Sequence, residues 1–263
     1  MNCRSEPQAS NCTWYWPLQA FVFYMTLLLL GAAMLSGSLL CIVLSWVVPR
    51  RAGVRIGRWL IGMLFRTYLG LLCALGLMRL DIKELDELNA EQGLLMAPNH
   101  PTMLDALLIV SRLPQTCCIM KSDLWDNIFL GAGARLAGYI RDDSVMKLVR
   151  RSARELKSGS RLLMFPEGTR TVRQPVNPLK GGIALIAQTA HAPIQTVILQ
   201  TNTPYLSKNW HLLRAPPFPM VHRARLGRRF DALQGVHQTV STLQNYYEIE
   251  LGKISPLAGH DAS

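Results

Sequence analysis

Polar and apolar positions divide the chain into three zones. Residues 18–48 carry no charged side chain. About twenty apolar residues cross the hydrocarbon core of a bilayer, so this run predicts a membrane helix. Trp14, Tyr15 and Trp16 stand at one end and Trp46 near the other, where interfacial anchors sit. Residues 1–17 form a polar lead. A cleaved signal peptide fits less well, because the apolar run is too long and Arg4 is balanced by Glu6. A second apolar stretch, residues 59–78, has Arg66 in its middle. A charge there is costly in a spanning helix. The segment 49–79 is therefore expected to be a basic loop followed by a helix on the membrane surface, with Arg58 and Arg66 reaching to head groups.

From about residue 80 the pattern changes to short apolar runs alternating with amphipathic stretches, which predicts an α/β sheet. Residues 93–98, 115–120, 161–166 and 193–200 read as buried strands. Residues 103–113 read as a helix with Asp105 in its first turn. Residues 143–157 form a clearer one, with Asp143 or Ser144 as cap, Val145, Leu148, Val149 and Leu156 as apolar stripe, and Gly159 after its end. Residues 237–251 suggest a terminal helix. The expected organisation is a single catalytic domain over 80–254 and a disordered tail over 255–263.

Charge adds a direction. Arg50, Arg51, Arg55 and Arg58 follow the apolar run with no acidic residue among them, whereas Arg4 is the sole basic residue before it. The positive side is expected to be cytoplasmic, giving a single-pass protein of the inner (plasma) membrane with its catalytic part inside. The formal net charge of +11 suits nucleic acid, anionic membrane or anionic substrates alike. No zinc-finger or RNA-recognition signature is present, and the apolar N-terminal third argues against nucleic acid. Lys208, Arg214, Arg223, Arg225, Arg228 and Arg229 occupy 208–229 without one acidic residue. That run is either a solvated basic strand and loop or a surface for anionic lipid or an acidic acyl-carrier protein. The six cysteines, Cys3, Cys12, Cys41, Cys73, Cys117 and Cys118, form no C-x-x-C pair and read as reduced thiols. Cys3 and Cys12 have the option of pairing if the N-terminus lies outside, and the NCT at 11–13 matters only in a secretory compartment.

Two runs carry chemistry. In NHPTMLD, residues 99–105, a histidine is followed five residues later by an aspartate. A carboxylate that holds one ring nitrogen protonated leaves the other free as a general base. No G-x-S-x-G supplies a nucleophilic serine, so the substrate is expected to bring the hydroxyl. FPEGTR, residues 165–170, follows the apolar LLM and reads as a strand ending in a glycine turn, with Glu167, Gly168, Thr169 and Arg170 at the strand's end. Arg170 offers a planar fork for phosphate or carboxylate. Alone, such a turn is more often solvated surface than a site.

Together, in this order, the two runs resemble the glycerolipid acyltransferase family, whose hallmark is N-H-x-x-x-x-D followed by F-P-E-G-T-R. The likeness extends over roughly residues 80–200, with APIQTVIL (192–199) and KGG (180–182) as weaker matches. Lys121 falls where the family often has a lysine. The family's second motif, G-x-I-x-x-x-R, meets GYIRDDS at 138–144, where Ser144 replaces the arginine and Arg141 lies three residues earlier.

The resemblance implies a glycerol-3-phosphate acyltransferase-like fold and transfer of a fatty acyl group from a thioester to a lysolipid hydroxyl, 1-acyl-glycerol-3-phosphate first among acceptors. The altered second motif leaves room for another lipid acceptor, such as a lyso-aminolipid or an aryl-polyene-type lipid. A non-catalytic scaffold and a thioesterase remain as contrasts. His100 and Asp105 are then the catalytic pair. Glu167, Gly168, Thr169, Arg170, Arg141 and Lys121 contact substrate. No metal or prosthetic group is expected, and acyl-CoA or acyl-carrier protein serves as co-substrate.

Overall fold

The computed structural model describes residues 15–211, 214–231 and 235–253. Arg4, Trp14, the NCT at 11–13, Cys3, Cys12 and the tail at 255–263 lie outside them. The chain opens with α1 (Trp16–Val47) and α2 (Arg50–Ala74), then β1 (Met78–Asp81) and a 3-10 segment over Lys83–Ala90. There follow β2 (Leu95–Pro98), α3 (Leu104–Arg112), β3 (Thr116–Lys121), α4 (Ser122–Trp125), α5 (Gly131–Leu136) and β4 (Ile140–Asp142). The last part holds α6 (Val145–Lys157), β5 (Arg161–Leu163), α7 (Gly182–Ala190), β6 (Ile194–Thr201), β7 (Met220–Phe230) and α8 (Val236–Lys253).

The seven strands form one sheet in the order β1-β7-β6-β2-β5-β3-β4. Strands β6, β2, β5, β3 and β4 run parallel, and β7 runs antiparallel to β6. Parallel strands covered on both faces carry continuous apolar runs, and β2 obeys this, with Leu95, Met96 and Ala97 at 0% exposure. Right-handed crossovers put α3 and α5 on one sheet face and α6 and α7 on the other. The packing agrees: α2 lies against α3 and α5, and α7 against α6 and α8. All parallel strands release their loops at the same edge, where ligands of such sheets gather.

The two N-terminal helices form an antiparallel pair joined at Val48–Pro49. Both are long and apolar enough to cross a membrane. Helix α1 buries a stripe of Ala20, Phe23, Leu30, Ser38 and Cys41 and exposes Phe21, Leu28, Leu29, Leu39, Val43 and Trp46. Phe23 meets the rings of Tyr205 and Phe218, and the Ser38 hydroxyl donates to the Phe129 carbonyl. The stripe thus follows the catalytic domain for about 30 Å, at 1.5 Å per residue.

The basic loop expected after residue 48 is instead the first two turns of α2. Arginine is a good helix former, and Pro49 stands at the N-cap, where a proline does not interrupt the helix. Arg58 does not reach to head groups. It is 5% exposed and donates to the carbonyls of Ala137 and Gln115, to the Ser160 hydroxyl and to Glu155, at 2.9–3.5 Å. Arg66 stays at the surface but donates to the Ser111 carbonyl. Gly57 lets α2 approach so closely that a Cβ there would lie 2.7 Å from the Ala137 nitrogen. In α6, Leu148, Val149 and Leu156 are buried but Val145 is 63% exposed, because it precedes the turn that meets the sheet. Ser144 holds the N-cap position without a side-chain cap bond. Cys41, Cys73, Cys117 and Cys118 are free thiols.

Candidate active site

Strand β2 ends at Pro98, and the side chain of Asn99 then prolongs the β2–β6 ladder. Its amide donates to the Leu199 carbonyl at 3.0 Å and accepts the Leu199 N–H at 2.7 Å. This double bond fixes the backbone just before His100. Asp105, 1% exposed, sits in the first turn of α3, where a carboxylate suits the helix dipole. One of its oxygens, Oδ2, accepts Nδ1–H of His100 at 2.9 Å and the Thr102 N–H at 2.8 Å. The other accepts the Thr102 hydroxyl at 2.9 Å. A carboxylate partner assigns the proton to Nδ1 and leaves Nε2 with a free lone pair. The imidazole plane is set by Phe165, stacked at 3.8 Å between centroids and 18°. The histidine side chain retains 16% exposure.

The FPEGTR turn comes off β5, the neighbour of β2. Gly168 has φ +67, the left-handed region, and a Cβ there would lie 2.6 Å from Cε and Nζ of Lys180. Glycine is needed both for the turn and for the lysine that passes over it. Glu167 is expected to shape the turn and to contact the acceptor, and the structure shows its bonds within the protein. It is 2% exposed, and Oε1 accepts the His100 N–H and the Thr171 hydroxyl, both at 2.8 Å. Oε2 accepts the Asn177 N–H at 2.9 Å. The carboxylate is a brace that joins the two motifs, and its oxygens are consumed by protein donors. Thr169 is half-buried at the turn. Nη1 of Arg170 donates to the carbonyls of Leu206 and Ser207, each at 2.9 Å, while Nε and Nη2 have no partner among the described residues.

Lys121 ends β3 and Arg141 is the middle residue of β4, strands that lie two and three places from β2. At the usual spacing that is about 10 and 14 Å. Lys121 is exposed at the head of α4. Arg141 is paired with Asp126 at 3.1 Å and Asp143 at 2.7 Å, so its charge is offset. Neither bonds to His100 or Asp105. The structure therefore gathers His100, Asp105 and the 167–170 turn, and leaves Lys121 and Arg141 at the periphery of the same edge.

Sequence reasoning missed Asn99, Thr102, Phe165, Asn177 and Lys180. Thr102 and Phe165 lie inside the motifs, where their side chains were visible but their partners were not. Lys180 had a signal in KGG, which was noted without a role. A cavity of about 760 Å³ lies at the same sheet edge, lined by Asn99, Thr102, Thr171, Asn202, Lys208 and Leu251 among others, but by neither His100 nor Asp105.

Residues 79–200 match the acyltransferase family model. Over 147 residues the chain is 28% identical to mouse 1-acyl-sn-glycerol-3-phosphate acyltransferase alpha, covering 52% of this chain and 51% of the relative. The chain thus spans about half the length of the curated relative that it matches. A crystal structure of the 1-acyl-sn-glycerophosphate (LPA) acyltransferase PlsC from Thermotoga maritima superposes with a TM-score of 0.63, covering 90% of this chain and 94% of that one at 15% identity. That likeness establishes the fold, including the helical pair ahead of the sheet. With NHPTMLD and FPEGTR both inside the matched span and meeting in space, residues 79–200 form a domain of the acyltransferase family.

Proposed function

We propose that the protein is a membrane-bound O-acyltransferase that moves a fatty acyl group from a thioester, acyl-CoA or acyl-carrier protein, to a lysolipid hydroxyl, foremost that of 1-acyl-glycerol-3-phosphate. The observation that carries this reading is the His100 Nδ1 to Asp105 bond of 2.9 Å, which leaves the Nε2 lone pair free. Nε2 takes the acceptor's hydroxyl proton as the oxygen bonds to the thioester carbonyl carbon. Asp105 stabilises the imidazolium that forms. The tetrahedral oxyanion needs donors, a role that backbone N–H groups would fill. Collapse breaks the C–S bond, and the departing thiolate takes the proton back from His100. No acyl-enzyme is required. Arg170 and Lys180 supply positive charge for an anionic head group.

The test incubates the full chain in bilayers with a panel of lysolipids and both donor types, read by lipid mass spectrometry. Phosphatidic acid is the expected product with 1-acyl-glycerol-3-phosphate. Free fatty acid at a rate indifferent to added lysolipid would show a thioesterase instead. Product from another lysolipid alone would assign a different lipid acceptor, an outcome favoured by the pairing of Arg141 with two carboxylates.

Helix α1 is the membrane anchor in this reading, with the catalytic domain on the cytoplasmic side of the inner membrane. Its inward stripe, packed on the domain along its length, favours a second arrangement in which the helix embeds its outer face from one side. Tags at the N-terminus and near residue 255, read by protease accessibility, separate the two. Opposite sides mean a single span, and the same side means either two spans or an embedded pair.

A further inference from the structure

Helix α6 presents an unbalanced row of cations. Lys147, Arg150, Arg151, Arg154 and Lys157 are all exposed. Their spacing of three and four residues places them along one side for about 15 Å. None meets a carboxylate among the described residues. Other exposed arginines do: Arg112 pairs with Asp86, Arg223 with Asp81, and Arg229 with Glu91 and Asp231. The one acid of α6, Glu155, is turned inward to Arg58 and keeps a third of its side-chain surface, 33%, so the helix exposes mainly positive charge. At its head Val145 and Met146 are 63% and 61% exposed. Methionine and an aliphatic side chain beside arginines is the composition of a protein-binding patch.

Position chooses the partner. Helix α6 leaves the end of β4, so its head stands at the same sheet edge as His100, three strands or about 14 Å away. It covers the sheet face opposite α2 and α3, whereas the lipid-like surface of α1 lies beyond α2 on the other side. A row facing away from the apolar helix is poorly placed for the bilayer. It is also too long for the phosphates of one small donor. We propose that this row is a docking surface for an acidic soluble protein, the carrier that presents the acyl thioester to His100. The inference rests on the acyl-transfer reading and selects one of its two donors.

The test compares the full chain in neutral-lipid nanodiscs with a variant carrying Lys147→Glu, Arg150→Glu, Arg151→Glu and Arg154→Glu, and with a milder Arg150→Gln, Arg154→Gln pair that keeps the fold should the reversal disturb Arg58. Melting temperatures report folding. Purified holo acyl carrier protein, without an acyl chain, is titrated first, so that binding is read without catalysis. Expected are saturable binding by the unmodified chain, about tenfold or more weakening in the charge-reversed variant, and a graded loss in the pair and at high salt. Turnover is read next: kcat/KM with the acylated carrier falls by a similar factor, while that with acyl-CoA stays within about twofold. Absence of carrier binding by the unmodified chain overturns the proposal. So does an equal loss with both donors in a folded variant, or a loss confined to flotation with anionic vesicles, which would assign the row to lipid. Carrier binding with no product from either donor would sink the acyl-transfer reading and leave the docking surface standing.

Discussion

His100 is held by four neighbours: Asp105 on its ring nitrogen, Phe165 on its ring face, Glu167 on its backbone N–H and Asn99 just before it. Replacing His100 with Ala is expected to lower acyl transfer by about two to four orders of magnitude with the fold intact. Comparable activity in a folded variant would remove it from the mechanism. Glu167→Gln turns an amide N–H toward groups that are themselves donors. It should cost about 1–3 kcal/mol of stability and lower kcat, because one amide oxygen cannot accept from all three of the donors around the carboxylate and the brace on His100 loosens. An unchanged melting temperature with a raised acceptor KM would instead return Glu167 to the substrate. Arg170→Ala should raise the KM of an anionic acceptor about thirty- to a hundredfold, the scale of a lost charged hydrogen bond of about 2–3 kcal/mol. Arg141→Ala should do less, since Asp126 and Asp143 already occupy it. A larger acceptor effect at Arg141 would reverse that ranking. At this scale the sequence spoke plainly for the His–Asp pair and the glycine turn, whose spacing is local. It did not show that Glu167 holds the His100 backbone, because that partner lies 67 residues earlier in the chain.

Among the elements, the strands with continuous apolar runs and the helices 104–112 and 145–157 were legible from period alone. Strand β4 was not, since three residues give no period, and β1 pairs with a strand some 140 residues later. Helix α2 shows a different difficulty. Its apolar residues look the same to a sequence whether they meet lipid or protein, and the glycines at 53, 57 and 62 that mark close helix packing were the unread signal. Arg58→Met tests the docking. It removes a guanidinium that ties α2 to the sheet's lower edge and leaves Glu155 unpaired. The expected loss is about 2–4 kcal/mol, reduced from the buried-pair range because Glu155 keeps a third of its side-chain surface. A melting temperature within a degree or so of the parent would mean that Arg58 merely occupies space.

Across the whole molecule, stability should depend on pH through a buried histidine of the sheet. His222 in β7 is 1% exposed, and its Nε2 has no partner among the described residues. Burial lowers its pKa to about 4, against a weaker pull upward from Asp105. The unfolded chain protonates this histidine near 6.5 and the folded chain near 4, so the unfolded state binds more protons between those values. Stability is complete above about pH 6.5 and falls by roughly 3 kcal/mol on the way to pH 4. A His222→Asn variant should lose less melting temperature than the parent between pH 7 and pH 5, and parallel curves would refute the assignment. The seating of α2 has one more consequence, for anyone who wishes to trim the protein to a soluble enzyme. The boundary that matters is the joint at Val48–Pro49, ahead of the family domain by thirty residues. A chain shortened to that joint keeps the arginine latch and the apolar lid of Leu69 and Leu72, each at most 2% exposed. A chain shortened to residue 76 discards both, and is expected to be recovered as inclusion bodies rather than as a working fragment.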